Sequence, residues 1–399
     1  MRISYSAILL ALLFLSANTV FGQELNVQGN NDSRDSAIAR FSTADAQYIE
    51  EALDLAGTNS QSLVNGLLQI PDEWLPGAAF LIENLPVEDL TVISEELFVA
   101  TLRDAYYAHN NFPWAQNLSV EDFFHYVLPP RVSQEPLEKW REVFLAELEP
   151  LVRNAETIEE ATDIVNEWMW SQVSFKQTQR RDQGPFETLA GGCGRCEELM
   201  ILQIDACRSV GIPARQAWTP YWTYQDNNHA WTEFMNSDGE WYQKDGWINI
   251  PTQRTNFIFS VPFGIPENDP HIYRTDDKPG SRYSILNSIG NYRDTCVLNI
   301  SVIDESGNPV GDTNVVLSVY NWGALRSVAR GKTDENGVYR IEAGVGGHFI
   351  SAGNSERGAC MSIQLEEAGD IDLTLVLMPL DEIETPDSFW LRYPMPEEG

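Results

Sequence analysis

Near the middle of the chain the pattern changes from helical to extended within a few residues, and that change most limits the fold. A helix is expected from about Cys196 to Val210, with Gly211 as the usual left-handed stop and Pro213 behind it. Strands are expected next, in "ARQAWTPYW", "HAWTEFM" and "EWYQKD", and "NSDG" joins the last two as a hairpin turn. A helix feeding a small hairpin sheet within the segment Gly191–Trp247 indicates an α+β fold.

The flanks differ from this centre and from each other. At 399 residues the chain exceeds one compact core, so several domains are expected. Residues 43–150 read as a helical N-terminal region, with "ADAQYIEEALDLAG" and "PLEKWREVFLAELEPLVRNA" carrying apolar residues at three- and four-residue steps. "VEDFFHYVLPPRV" ends another helix at a double proline. Residues 151–255 hold the central core, opened by "TIEEATDIVNEWMWSQV" with Thr157 as N-cap and Glu160 completing a capping box. Residues 256–294, rich in Pro, Asn, Asp and Gly, read as a linker or covering segment. Alternating stretches such as "CVLNISVID", "NVVLSVY" and "IDLTLVL", parted by regular turns, predict an all-β sandwich over 295–380. Residues 381–399 are an acidic tail.

The N-terminus predicts export. Residues 1–22 have Arg2, a short apolar run and small residues at Val20 and Gly22, the signature of a cleaved signal peptide. A polar leader, 23–42, follows. The apolar run is too short to span a bilayer and no cysteine follows the cleavage point, so a soluble periplasmic or extracellular protein without a membrane anchor is expected. Acidic residues outnumber basic ones 59 to 26, a formal charge of −33, which disfavours a nucleic-acid partner. The excess reads as a solubility device, with attraction of cationic substrates as the functional alternative.

Three of the five cysteines fall in "GGCGRCEELMILQIDACRSVGIPAR". A structural zinc site needs four ligands, and Cys193 and Cys196 have only a lone Cys207 near them, with no neighbouring histidine. A thioredoxin-like pair fits locally, but the surroundings do not read as a βαβ unit. The fuller arrangement is a thiol nucleophile. Cys196 opens the helix, where the macrodipole and free N–H groups favour a thiolate. His229 opens one strand and Asp245 ends the next, so the hairpin brings base and orienting carboxylate side by side. Cys207 lies about 16 Å further along the helix and reads as buried filling. Cys296 and Cys360, on separate strands of the sandwich, are a possible disulfide.

"GRCEELMILQIDACRSVGIPARQAWTPYW", "HAWTEF" and "GEWYQKDG" resemble, in order, the core of the transglutaminase-like superfamily: G-x-C-x-E, R-x-x-G-I-P-A-R, H-A-W-x-E and W-x-x-x-D. The resemblance implies a papain-like core with Cys196 as nucleophile, His229 as base and Asp245 as orienter, and it selects Cys196 over Cys193. It also points to Trp168, Trp170 and Gln172, upstream of the nucleophile, as oxyanion or channel candidates. Trp218 and Trp222 are candidates for an aromatic groove wall. The sandwich is similar to carboxypeptidase-regulatory or immunoglobulin-like modules through "VIDESGNPV" and "TDENGVYRI". The expected activity is thiol acyl transfer on a peptide, glycopeptide or other amide, most simply hydrolysis, without metal or cofactor. The alternatives are protein crosslinking or deamidation, and a catalytically silent protein that holds a polypeptide or glycan.

Overall fold

The computed structural model describes residues 32–178, 181–243 and 255–383. The expected signal peptide, residues 23–31 of the polar leader, most of the acidic tail and Asp245 lie outside the described residues; the rest of the leader is no loose segment, since Ala37 is buried in the helical core with Ile38 and Phe41 against it.

Residues 32–38 are helical, and after them come α1 (Thr43–Leu55), α2 (Ser60–Gln69), α3 (Leu75–Asn84), α4 (Val87–Leu90), α5 (Glu95–Asn111) and α6 (Val120–Tyr126). Serine caps begin three of them: Ser42, Ser94 and Ser119 accept from the N–H groups of Asp45, Leu97 and Asp122. Their apolar stripes meet in one core around Leu53, Leu63, Leu67, Leu81, Ile82 and Phe98. Four more helices follow, α7 (Trp140–Val152), α8 (Ile158–Gln172), α9 (Pro185–Gly191) and α10 (Cys196–Ser209). Thr157 caps α8 through the Glu160 N–H, while the Glu160 carboxylate accepts from Glu156, one residue before the cap.

Helix α10 is the centre of the molecule. Every residue from Glu198 to Ser209 is buried. Its apolar side chains pack with Phe144 and Leu148 of α7, with Val165 and Met169 of α8, and with Ala230 and Phe234 of the sheet. Gly211 ends it at φ +74, where a Cβ would stand 2.7 Å from Ala115 Cβ. Gly211→Ala is therefore strained and overpacked at once. It should lower unfolding free energy by about 2–4 kcal/mol, read as an earlier urea midpoint, and a change below about 0.5 kcal/mol would count against this account.

Two short strands, β1 (Ser174–Phe175) and β2 (Cys193–Gly194), pair in parallel just before α10. The main sheet contains β3 (Ala214–Thr219), β4 (His229–Met235), β5 (Trp241–Gln243), β6 (Phe259–Val261), β7 (Ile272–Asp276) and β8 (Tyr283–Asn287). Their order is β5-β4-β3-β6-β8-β7, and neighbours run antiparallel. Residues 256–294 are thus no mere linker: half of these strands come from that segment. Ser260 and Leu286 pair within it, and Phe259 faces Trp218 across β3.

The C-terminal β-rich part forms two sheets. One is β11 (Ala324–Lys332), β10 (Asn314–Asn321), β13 (Gly346–Gly353), β14 (Arg357–Leu365) and β16 (Met378–Pro379), in that order. The other is β12 (Val338–Gly344), β9 (Thr295–Ile303) and β15 (Gly369–Val376). Burial alternates along all of β9, so Leu298, Ile300 and Val302 face Val315, Leu317 and Ile350. Phe257 and Phe259 enter the same core, so the sandwich and the main sheet share apolar packing.

No disulfide joins Cys296 and Cys360. Cys296 is buried in the core on β9, with its thiol on the Glu367 carbonyl at 3.0 Å. On β14 the core-facing side chains are Ala359, Met361 and Ile363, so strand alternation turns Cys360 to the opposite face. Among the described residues no helix is long and apolar enough to cross a membrane.

Candidate active site

The entry to α10 is fixed by a buried carboxylate. Ser174 and Lys176 donate their N–H groups to the Gly192 and Gly194 carbonyls, which holds the strand before the helix. Glu198 is fully buried and folds back under that strand. It accepts from the Arg195 N–H at 2.6 Å, from Arg195 Nε at 3.1 Å and from the Thr178 hydroxyl at 2.8 Å. Arg195 also pairs with Asp182 at 2.8 Å. A Cβ on residue 194 would lie 2.9 Å from Glu198 Cβ, so only glycine leaves this fold-back open. The spacing G-x-C-x-E is therefore a device for holding Cys196 at the first position of α10.

The Cys196 thiol is half-buried. Burial pushes its pKa up, and the Glu197 carboxylate adds to this. The N–H groups of Ala230 and Glu197, and the Arg195 charge, pull the other way without prevailing. The helix start was expected to favour the thiolate; desolvation outweighs it, because the thiol sits against the sheet rather than in water.

His229 opens β4, opposite Thr219. Its ring packs against two indoles, 5.7 Å from Trp231 and 6.0 Å from Trp222, each at 29°. Burial alone lowers its pKa from 6.5 to about 4. His229 Nε2 is buried with no hydrogen-bond partner among the described residues. Behind it runs a polar chain. Trp231 Nε1 donates to the Tyr292 hydroxyl at 2.9 Å, and Tyr292 donates to Glu233 at 2.7 Å. Glu233 also takes Arg215 Nε and the Ser260 hydroxyl, each at 2.6 Å. Alternation along H-A-W-x-E thus sends His229, Trp231 and Glu233 to one face, while Ala230 presents its N–H to the thiol.

Cys196 and His229 line one narrow pocket that opens to solvent. Met169, Trp170, Phe175, Leu199, Met200, Gln203, Ala230 and Trp231 complete its wall. Gln203 donates to Asn166 at 2.6 Å, which fixes the polar group among these apolar ones. No hydrogen bond joins the thiol to the imidazole, and neither titrates under the influence of the other. The resting pair at neutral pH is a neutral thiol and a neutral imidazole on one wall of the pocket.

Of the aromatic and polar candidates, Trp170 reaches the pocket. Trp168 does not: two positions along a helix turn about 200°, and Trp168 packs on Phe144 at 5.7 Å in the helical core. Gln172 is exposed at the end of α8 and donates to the Ser171 hydroxyl. Trp218 is wedged between sheet and sandwich, 5.5 Å from Phe259. Trp222 is buried and backs His229 instead of walling a groove. Asp245 falls outside the described residues. Cys193 pairs by its backbone with Ser174, and burial drives the Cys207 thiol far above its ordinary range. Met169, Phe175, Leu199, Met200 and Gln203 carry no chemical signature in sequence; only their places on α8, β1 and α10 reveal them.

Residues 147–249 match the family model of the transglutaminase-like superfamily. A solved structure from Cytophaga hutchinsonii, described as a "putative cysteine protease", shares 14% identity over 44% of this chain and 66% of its own, with a TM-score of 0.30. A second, described as a "putative protease" from Parabacteroides distasonis ATCC 8503, shares 13% identity over 45% of this chain and 33% of its own, with a TM-score of 0.26. The chain therefore spans just under two thirds of the first and a third of the second, and no detail of the site carries across at these scores. No curated protein matches the chain. Residues 147–249, with Cys196 at the head of the buried helix and His229 at the head of the strand beside it, form a transglutaminase-like domain.

Proposed function

We propose that the chain is an exported thiol acyl-transfer enzyme that hydrolyses peptide or other amide bonds. The observation that carries this reading is that Cys196 and His229 open into one apolar pocket, with the N–H next to His229 turned to the thiol. In this reading His229 takes the Cys196 proton as the sulfur attacks the amide carbonyl. The C–N bond breaks, and the imidazolium returns the proton to the leaving amine. Water then attacks the thioester with His229 again as base, releasing a carboxylic acid and restoring the thiol. The backbone N–H of Cys196, free in the first helical turn, is the proposed donor to the oxyanion.

Asp245 is proposed to orient His229. The buried, unpartnered Nε2 is the place where such an acceptor belongs. Export rests on the signal-like residues 1–22, with a polypeptide or glycopeptide as substrate.

The neutral resting pair makes a testable prediction. Thiolate absorbance, taken as wild type minus Cys196→Ser, should be absent at pH 7 and emerge only above the ordinary thiol value of 9.0. The acid limb of kcat/KM should fall near pH 4, the value that burial gives His229. A thiolate signal at pH 7 would replace this scheme with a pre-formed ion pair. The same burial makes the fold acid-sensitive. Unfolded His229 binds a proton at about 6.5 and folded His229 at about 4, so its contribution is present above pH 6.5 and is lost as pH falls to 4.

A second reading, a silent protein that holds a polypeptide or glycan, draws on the missing thiol–imidazole hydrogen bond. A peptide and glycopeptide library separates the two. Turnover that disappears in Cys196→Ala supports the enzyme; binding without turnover, with Cys196 alkylation indifferent to His229→Ala, supports the binder.

A further inference from the structure

The turn between β10 and β11 of the sandwich reaches back to the loop that leads into His229. That loop, residues 220–228, joins β3 to β4, whose ends pair through Thr219 and His229. Hairpin loops usually have about 2–5 residues, and a longer one has more backbone groups to satisfy. Within it the Trp222 N–H donates to the Asn227 carbonyl at 3.0 Å. Further partners come from the other domain. Asn321, wholly buried at the end of β10, donates through Nδ2 to the carbonyls of Trp222 at 2.9 Å, Gln225 at 2.8 Å and Asn227 at 3.3 Å. The next residue, Trp322, donates its N–H to the Asp226 carboxylate at 2.8 Å.

The turn is specialised for this approach. Asn321 pairs with Ala324, leaving Trp322 and Gly323 as a two-residue turn at φ +51 and +71. Such turns favour Asn-Gly, and a bulky residue at positive φ is strained. The loop it grips touches the site directly. Trp222 stacks on His229 at 6.0 Å and on Trp231 at 6.5 Å. One path of contacts thus runs from the Asn321 amide to the Trp222 backbone, and from the Trp222 ring to the His229 imidazole.

We infer that the sandwich is a working part of the active site, in which Asn321 is a positioning residue that seats loop 220–228 and, through Trp222, orients the His229 ring. The catalytic half of this inference rests on reading Cys196 and His229 as the reacting pair; the structural half does not.

The test uses the full chain with Asn321→Ala, Asn321→Asp, which keeps the size but loses the donor, and Asp226→Ala, which changes no sandwich residue but removes the acceptor of the Trp322 N–H. Hydrogen exchange followed by mass spectrometry should show amides in 220–229 exchanging at least tenfold faster in the Asn321 variants, with β9 and α10 unchanged. Asp226→Ala should give a smaller change of the same kind. In the Asn321 variants kcat should fall at least tenfold with KM within threefold. The acid limb should move from near pH 4 toward 6.5 as water reaches the imidazole. Unchanged exchange in 220–229 overturns the inference, and so does a loosened loop with kcat and acid limb as in wild type. If the wild-type protein turns over no amide, the acyl-transfer reading fails by itself. The His229 titration, followed by NMR, then decides: a midpoint that moves toward 6.5 in Asn321→Ala upholds the positioning role, and an unmoved midpoint overturns it.

Discussion

Cys196→Ala should reduce amide turnover by about 10³-fold or more, while urea unfolding moves by less than about 1 kcal/mol. The thiol is half-buried, and the helix entry is held by Glu198, Arg195 and Thr178, none of which needs the sulfur. His229→Ala should cost turnover on the same scale, because in the proposed mechanism nucleophile and base act as a unit and the second loss adds little to the first. The double variant should therefore resemble either single one. Full additivity of the two losses would mean that thiol and imidazole act independently, contrary to the mechanism proposed above. A third arm, Cys193→Ala, should leave turnover within about threefold of wild type, since Cys193 lies on β2 outside the pocket lining. A loss there matching that of Cys196→Ala would reopen the choice between the two thiols.

The largest expected effect on stability is at Glu233. This carboxylate is buried beside Arg215, which is 4% exposed on its side chain, at 2.6 Å. It also accepts from Ser260 and Tyr292. Arg215 in turn lies over the Trp241 ring at 3.8 Å. Glu233→Ala strands a buried guanidinium and removes the acceptor of two hydroxyls, so unfolding free energy should fall by about 3–5 kcal/mol. Arg215→Met combined with Glu233→Leu should lose less than Glu233→Ala alone, because no buried charge is then left uncompensated. Calorimetry and urea titration of the three proteins check this, and a loss under about 1 kcal/mol for Glu233→Ala would sink it. Turnover should fall as well. Tyr292 links Glu233 to the indole of Trp231, which stacks on His229, so the anchor and the imidazole are mechanically joined.

Much of the framework around the site is legible in the sequence. Gly211 with Pro213 marks the end of α10, and its glycine does adopt the left-handed conformation that stops a helix. "HAWTEFM" bounds β4 residue for residue. The alternation in "CVLNISVI" gives β9 and, with its neighbours, the β-rich C-terminal part. Each of these signals is local, a capping glycine or a period of two, and needs no knowledge of what packs from a distance.

Residues 256–294 show where local signals stop. Strands β6, β7 and β8 are 3, 5 and 5 residues long and stand among Pro, Asn and Asp, so no period can establish itself. Their extended state comes from pairing with β3 and with each other. The same holds for the aromatic residues near the site. Trp168, Trp170, Trp218 and Trp222 look alike in sequence, yet one lines the pocket, two fill cores and one backs His229.

The sequence by itself determines the α+β class, the helix that begins at Cys196 and the strand that begins at His229. Those follow from relations between residues a few positions apart. Only the tertiary structure decides that the thiol is protonated, that Cys296 and Cys360 face apart, that the segment after the core completes its sheet, and that the sandwich grips the loop before His229. These depend on desolvation and on hydrogen bonds between residues far apart in the chain, such as Asn321 and Trp222, and the free energy of burying a group is set by everything that closes around it.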